Sequence, residues 1–208
     1  VAGYDILKNS LDARRHIGYM PETVPLYTDM TVRSYLDFHG RLHKMNSAAR
    51  KRRSDFVIER MKLQDYANIL IGRLSKGFRQ RVGVAQAILH EPEVLILDEP
   101  TIGIDPVQVV ETRDLVKGLG KDHTVVISTH ILSEASAVSD RVAVINEGHI
   151  VAVDKPDNLS VLLRGTEQVQ LEVRGPVKEV IARLRQVDGV QEVTRRQIDG
   201  NIYAYTLE

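Results

Sequence analysis

The sequence predicts an α/β fold built on a parallel sheet, followed by a smaller α+β unit. Two short apolar runs, 94–97 and 124–128, do not alternate with polar residues, which is typical of buried parallel strands. Segments with helical spacing precede and separate these runs. From residue 169 onward the pattern changes to strands that alternate with period two, and this change indicates the second unit.

The N-terminal part is predicted to contain one strand and two helices. Residues 14–20 form the predicted strand, which a proline ends. Helices are expected over 32–42 and 49–61, with Thr31 and Ser47 as N-caps. These helices would build a helical subdomain beside the sheet.

A third helix is predicted to begin beside Ser75, a good N-cap, and to end before Pro92. The first turn of such a helix presents free backbone N–H groups and about half a positive charge, which favours binding of phosphate. Gly77 would let a ligand approach the backbone closely.

Two carboxylates, Asp98 and Glu99, follow the strand at 94–97. Ligands of open α/β sheets bind at this carboxyl end of the strands. Because successive strand residues point in opposite directions, one carboxylate can hold Mg²⁺ through water while the other faces an attacking water. For such a pair in isolation, however, a structural ion pair would be the better interpretation.

Asp105 and Pro106 form a strong helix start, and Gly118 and Gly120 supply its end. The next apolar run is predicted as a buried strand that ends at His130. This end lies at the same edge of the sheet as Asp98 and Glu99, so the imidazole is expected there too.

The C-terminal segments predict a hairpin and then a small appended domain. Residues 140–145 and 149–153 flank a turn at Gly148. A boundary is expected at 155–158, dividing the chain into domains at 1–157 and 158–208. Beyond it, strands at 169–173, 190–193 and 201–207 and a helix at 177–187 suggest a ferredoxin-like α+β domain.

The composition excludes several classes of protein. Among 208 residues, 28 lysines and arginines balance 28 aspartates and glutamates, so no net field draws the chain to nucleic acid. The basic run 50–53 has no interleaved aromatic residues and is interpreted as a solvated helix face. Without cysteine there is no disulfide framework. No apolar run approaches the roughly 20 residues that span a bilayer, so a membrane role would need a partner.

The chain resembles the ATP-binding subunits of ABC transporters, and several motifs in the family's order carry the resemblance. They are the signature loop at 74–80, with Lys76 where glycine is more common, the Walker B strand at 94–98, the catalytic glutamate Glu99, the D-loop at 103–105, the switch histidine His130, and a Q-loop with Glu22 where glutamine is usual. Their order and separations make the resemblance specific. The alternative interpretation of Glu22 is a turn residue after a proline.

The resemblance implies ATP and Mg²⁺ as cofactors and assigns roles to particular residues. For the chain's own ATP, Glu99 and His130 would be catalytic, and Asp98 and Glu22 would serve the metal, with Glu22 also near the nucleotide. Ser75 and Gly77 would bind the γ-phosphate of the ATP held by a paired subunit, and Lys76, Gln80 and Asp105 would be further cofactor-binding residues.

The resemblance also implies partners and a location. The family works with an integral-membrane permease subunit and a second nucleotide-binding subunit, the same or different, at the cytoplasmic face of the cell membrane. The helical subdomain would cover about residues 28–90. The C-terminal domain is similar to the extension on ABC-2-type exporters, including gliding-motility and drug-resistance members, and its expected role is dimer contact or regulation.

The chain does not contain the pattern Gly-x-x-x-x-Gly-Lys-Ser/Thr, the P-loop (Walker A) whose amides and lysine hold nucleotide phosphates. We therefore expect a piece of a longer subunit, P-loop NTPase-like in fold, whose P-loop lies upstream and without which this piece is inactive. Two alternatives stay open. One is a soluble ABC ATPase outside transport, and the other is a catalytically silent binding module.

Overall fold

The structure is a computed structural model that describes residues 1–163, 169–190, 192–200 and 202–207. It divides into two compact units, Val1–Asp140 and Arg141–Glu208. The mixed α/β architecture predicted from the sequence is confirmed. The domain division at residue 157 stays a prediction, because compactness does not define where a family domain ends.

The first unit contains a parallel sheet and six α-helices. In chain order these elements are α1 (Ser10–Arg15), β1 (Ile17–Met20), α2 (Val32–Leu42), α3 (Ser47–Arg60), α4 (Lys76–Ile88), β2 (Val94–Asp98), α5 (Pro106–Leu119), β3 (Thr124–Ser128) and α6 (Leu132–Val138). None of the described helices is both long and apolar enough to cross a membrane.

The sheet of the first unit has the order β1-β2-β3, with both pairs parallel. Met20 pairs with Leu97, and Asp98 pairs with Ser128. The three strands therefore end at one edge. Whatever follows each strand in the sequence is brought to that edge by the backbone alone.

Helix α4 packs closely on the sheet. Leu95 and Leu97 of β2 are fully buried in the same core as Val84 and Ile88 of α4. Gly18 of β1 makes the close approach possible, because a Cβ atom there would lie 2.1 Å from the carbonyl oxygen of Ala87. The helix that starts at the signature loop is thus fixed to the strands that carry the carboxylates.

Two sequence predictions for the N-terminal elements were wrong in detail. Residues 14 and 15 end helix α1 and do not belong to β1. Strand β1 begins at Ile17, where pairing with Val94 of β2 starts. The N-cap of α3 is Asn46, whose side chain accepts a hydrogen bond from the Ala49 amide over 2.9 Å. Ser47 is instead the first helical residue.

The prediction that β3 is a buried strand was also wrong. Val126 is 51% exposed, and Thr124 and Ser128 are exposed as well. Within the described residues β3 pairs only with β2 and forms an edge of the sheet. An apolar run indicates that a strand can be buried. Whether the strand is buried depends on the elements that pack against it.

The basic run at 50–53 is only partly a solvated face. Arg50 binds the Asp37 carboxylate over 2.7 Å and the Met45 carbonyl over 2.9 Å. Arg53 donates to the carbonyls of Ile88 and Leu89 over 3.0 and 3.1 Å, which caps the C-terminal end of α4. Two of the four cations are therefore structural.

Histidines in this helical region will make the first unit less stable in acid. The rings of His43 and His90 stack with centroids 3.9 Å apart, near Arg53 and His123. Burial lowers the pKa of His90 and that of His39 to about 4. The unfolded chain then binds more protons between that value and the ordinary pKa, so the free energy of unfolding will fall as the pH drops from about 6.5 to about 4.

Urea unfolding at several pH values measures this slope. We expect His90→Gln to flatten it, whereas His149→Gln, an exposed position on a strand of the second unit, should leave it unchanged. An equal slope in the wild type and in His90→Gln would contradict the prediction.

The second unit contains a hairpin and a three-stranded sheet. Its elements are β4 (Val142–Asn146), β5 (His149–Asp154), α7 (Pro156–Leu163), β6 (Val169–Arg174), α8 (Val177–Leu184), β7 (Val193–Asp199) and β8 (Ile202–Leu207). The turn between β4 and β5 has positive φ at both Glu147 and Gly148, 49° and 78°, as a type I′ turn requires. The predicted hairpin is confirmed.

The three-stranded sheet has the order β6-β8-β7 and is antiparallel throughout. With α8 connecting its outer strands, this is a split β-α-β arrangement with a strand inserted between the two. The strand predicted at 190–193 instead begins at Val193, where pairing with Leu207 starts. Residues 191 and 201 of the predicted strands lie outside the described residues.

Candidate functional site

Glu99 and His130 meet at the carboxyl edge of the parallel sheet. Glu99 Oε1 lies 2.8 Å from His130 Nδ1 and accepts the backbone N–H of His130 over 3.1 Å. The Glu99 amide donates to the Ser128 carbonyl over 3.1 Å, and its φ is +46°. The carboxylate is 16% exposed and the imidazole 65% exposed, so the carboxylate is anchored while the imidazole faces outward.

This contact favours the protonated form of His130. The hydrogen bond to Glu99 raises the pKa of His130, and the charges of Glu99, Glu134 and Glu22 act in the same direction. In that form Nδ1–H donates to Glu99 and leaves Nε2–H for another acceptor. The carboxylates of Glu99, Glu134 and Glu22 therefore all favour the protonated form of the imidazole at this edge.

Replacing Glu99 with glutamine should lower the pKa of His130. An NMR titration of the His130 ring would measure the change. Glu134→Gln should lower the pKa by less, because Glu134 acts only through its charge. An unchanged His130 pKa in Glu99→Gln would show that the contact does not form in solution.

Asp98 and Glu22 bring carboxylate oxygens to the same edge. The Ser128 hydroxyl donates to Asp98 Oδ1, and the Glu22 carboxylate is exposed and acts on His130 through its charge. In the described part of the chain no three acidic or histidine side chains form a group that could hold a metal ion. Mg²⁺ commonly takes only one or two carboxylates and completes its shell with phosphates and water, so Asp98 and Glu22 fit Mg²⁺ in this mode.

A second group of predicted residues lies around the N-termini of α4 and α5. Ser75 caps α4 by accepting the Phe78 amide over 3.3 Å, as predicted. Asp105 caps α5 by accepting the Gln108 amide over 3.0 Å. Gly77 is buried against α5, because a Cβ atom there would lie 1.6 Å from Gln108 Oε1. Ser75 and Lys76 remain exposed beside these helix starts.

Gln80, which the sequence predicts as a binding residue, is buried in the structure. It is 3% exposed, and its Oε1 atom has no hydrogen-bond partner in the described residues. One turn of α4 separates it from Gly77, on the side that faces the protein interior. Gln80 is therefore placed to support the loop and not to touch a ligand.

The sequence reasoning missed three polar contacts around these groups. The Thr101 hydroxyl donates to Glu134, and Arg81 pairs with Glu111 while its guanidinium lies 5.1 Å from the Phe78 ring centroid. Ser128 was missed as a partner of Asp98. Of these contacts, only the one between Ser128 and Asp98 could have been predicted from the sequence. Both residues end a predicted parallel strand, and parallel strands that end together pair their last residues.

The structure thus brings Glu22, Asp98, Glu99 and His130 to one edge, and Ser75, Lys76, Gly77 and Asp105 to two adjacent helix starts. No hydrogen bond or ion pair joins the two groups within the described residues. Residues 2–102 match the sequence model of a family described as ABC transporter. The chain contains an ABC transporter ATP-binding domain.

Relatives with related names share extended similarity with the chain. The linearmycin resistance ATP-binding protein LnrL of Bacillus subtilis (strain 168) is 31% identical over 200 residues, covering 96% of this chain and 64% of the relative. The bacitracin transport ATP-binding protein BcrA of Bacillus licheniformis is 38% identical over 156 residues, covering 73% and 49%. The chain spans less than two thirds of the length of either relative.

Solved structures of ABC ATPases share the fold. An ATP-binding subunit of an ABC transporter aligns with a TM-score of 0.65 and 25% identity, covering 89% of this chain and 75% of that chain. The protein cbiO1 from Clostridium perfringens, part of the ABC transporter complex cbiONQ, aligns with a TM-score of 0.68 and 27% identity, covering 84% and 65%. The predicted nucleotide-binding fold is confirmed.

Proposed function

We propose that the chain belongs to an ATP-hydrolysing subunit of an ABC transporter, which powers export through a separate integral-membrane subunit. The observation that best supports hydrolysis is the anchored carboxylate of Glu99. It receives two hydrogen bonds from His130 and stands beside Asp98 at the sheet edge. A carboxylate held in one orientation at a ligand edge is what a general base requires.

In this proposal Glu99 orients and deprotonates the attacking water. Positioned general bases contribute about 10²–10⁴-fold in rate. His130 holds Glu99 through Nδ1 and directs its outer N–H toward the terminal phosphate, where a positive charge stabilises the anionic transition state. The Glu99 carboxylate, which raises the pKa of His130, favours that charge.

Asp98 and Glu22 are the proposed metal residues. When bound, Mg²⁺ would offset the charge of the nucleotide phosphates. The Ser128 hydroxyl orients the Asp98 carboxylate. Glu22, which is exposed, would contribute an oxygen directly or through water.

Ser75, Lys76, Gly77 and Asp105 are proposed to bind ATP held by a second nucleotide-binding subunit. The start of α4 offers free N–H groups and positive potential to a phosphate. The exposed Ser75 hydroxyl and Lys76 ammonium extend that surface. Gln80, which the sequence also predicted as a ligand, would act from the interior by supporting this turn.

The names of the relatives favour an exporter. One is called a linearmycin resistance protein and another a bacitracin transport protein. An ABC-2-type exporter subunit, peripheral on the cytoplasmic face of the cell membrane, is the class that fits these names. The β6-α8-β7-β8 sheet would then serve subunit contact or regulation.

Purification of the native-length protein from its membrane, followed by an ATPase assay, tests the proposal. We expect an integral-membrane subunit to copurify and ATP turnover to require Mg²⁺. Recovery free of membrane protein, or with ribosomes or DNA, would identify a soluble ABC ATPase. Absence of turnover would identify a silent binding module.

A further inference from the structure

The turn that follows β2 holds Glu99 in a backbone conformation that residues with a side chain rarely adopt. Glu99 has φ +46°, in the left-handed region. The Ile102 amide donates to the Glu99 carbonyl over 3.2 Å, and the Glu99 amide donates to the Ser128 carbonyl over 3.1 Å. A conformation of this kind costs free energy and persists only where surrounding contacts hold it. The contacts that hold this turn are therefore part of what places Glu99.

One such contact joins the turn to helix α6. The hydroxyl of Thr101, two residues beyond Glu99, donates to the Glu134 carboxylate. Thr101 is 8% exposed, and both residues line a cavity of about 20 Å³ together with Val116 and Ile127. A hydrogen bond is stronger in such surroundings than in water.

Neither helix capping nor ion pairing accounts for the direction of the Glu134 side chain. An acidic residue at the third position of a helix can accept the amide of the N-cap residue. The N-cap of α6 is Ile131, whose amide donates to the Thr129 hydroxyl over 3.1 Å instead. Arg113 lines the same cavity, but within the described residues it makes no ion pair with Glu134. Thr101 is therefore the hydrogen-bond partner that the described residues give the Glu134 side chain.

The Thr101–Glu134 bond and the Glu99–His130 contact join the same two segments of the chain. Thr101 follows Glu99 by two residues, and Glu134 follows His130 by four. Glu99 Oε1 lies 2.8 Å from His130 Nδ1. Loss of the Thr101–Glu134 bond would leave the Glu99–His130 contact as the only side-chain bond that the described residues show between these segments.

We infer that Glu134 is a positioning residue, which accepts the Thr101 hydroxyl and thereby holds the turn of Glu99 in the conformation that meets His130. This positioning role concerns contacts within the chain alone. Its consequence for catalysis rests on the proposed function, in which Glu99 is the general base.

Hydrogen exchange of the Ile102 and His130 amides in the native-length protein provides the test. The first amide donates to the Glu99 carbonyl and the second to the Glu99 carboxylate. Thr101→Val removes the hydroxyl at nearly constant size, whereas Thr101→Ser keeps it. We expect Thr101→Val to speed exchange of both amides by about twofold or more, because residues in contact usually couple at this level. Thr101→Ser should keep the slower exchange of the wild type.

Thr112 provides the matched control for this substitution. It is 1% exposed, but its hydroxyl has no hydrogen-bond partner in the described residues. Thr112→Val should leave exchange of the Ile102 and His130 amides unchanged. Equal exchange in Thr101→Val and the wild type would overturn the inference. So would an equal increase in Thr101→Val and Thr112→Val, which would assign the effect to a general loosening of the first unit.

Substitution of Glu134 tests the same bond from α6. Glu134→Ala removes the acceptor, and Glu134→Gln keeps an acceptor oxygen while it removes the charge. Glu134→Ala should speed exchange at least as much as Thr101→Val does, and Glu134→Gln should speed it less. Combining Thr101→Val with Glu134→Ala should add little to either. Additive effects of these two substitutions, or equal effects of Glu134→Gln and Glu134→Ala, would overturn the inference.

Single-turnover hydrolysis by the native-length protein measures the catalytic consequence. Thr101→Val should lower the rate by about twofold or more with ATP binding unchanged, since the bond acts on Glu99 and not on the nucleotide, and Thr101→Ser should restore the rate. If the protein has no ATPase activity, the proposed function fails, while the exchange experiments still decide the positioning role. A wild-type rate in Thr101→Val, with faster exchange, would overturn the catalytic part of the inference.

Discussion

Glu99→Gln in the native-length protein will slow ATP hydrolysis by about 10²–10⁴-fold, the range that a positioned general base contributes. Glutamine keeps the size of the side chain and can still accept a hydrogen bond from His130, but it cannot take a proton from water. ATP binding should persist. Single-turnover hydrolysis and nucleotide binding, measured on the same preparation, separate the two effects.

Glu59→Gln is the control for this substitution. Glu59 is exposed on α3, away from the sheet edge, and carries no side-chain hydrogen bond in the described residues. Its replacement should leave turnover unchanged. Turnover at the wild-type rate in Glu99→Gln would remove Glu99 from the chemistry and with it the observation that best supports the proposed hydrolysis.

Gly18→Ala will strongly destabilise the first unit. The added Cβ would lie 2.1 Å from the Ala87 carbonyl oxygen and 2.9 Å from its carbon. Both atoms belong to the backbone of α4, so no side chain can rotate away, and the helix must move from the sheet. Overpacking of a core typically costs about 1–3 kcal/mol, and we expect the upper end of this range or more in urea unfolding.

Gly118→Ala is the matched control for this prediction. The nearest atom to a Cβ there is Arg60 Nη2 at 3.7 Å, an ordinary contact with the end of a flexible side chain. Gly118 also lies inside α5, where alanine is favoured over glycine by about 1 kcal/mol. Stability should therefore stay equal or rise. Equal stability of Gly18→Ala and the wild type would show that α4 does not pack on β1 as described.

Local features were predictable from the sequence, because their determinants lie within a few residues. Ser75 and Asp105 cap their helices as expected, and the turn at Gly148 forms. The meeting of Glu99 and His130 was also predictable, since parallel strands deliver their ends to one edge. The parallel arrangement of the strands and the hydrogen-bonding chemistry of the two side chains were sufficient to predict this part of the candidate site.

Features that depend on distant neighbours were not predictable. The exposure of Val126 depends on which elements pack against β3, and these lie outside the strand itself. Lys76 Nζ lies close to Gly103, although a helix and a strand separate the two residues in the sequence. No local pattern encodes such a contact.

Helix α4 is held at both ends and along its length. At its C-terminal end Arg53 donates to the carbonyls of Ile88 and Leu89, and at its N-terminal end Ser75 caps the first turn. Between the ends, Gly18 allows the helix to pack closely on the sheet. Its 13 residues span about 20 Å at 1.5 Å per residue. Because Arg53 of α3 binds the C-terminal end of α4, a displacement of α3 that moves Arg53 would act on the whole of α4, including its first turn at Ser75.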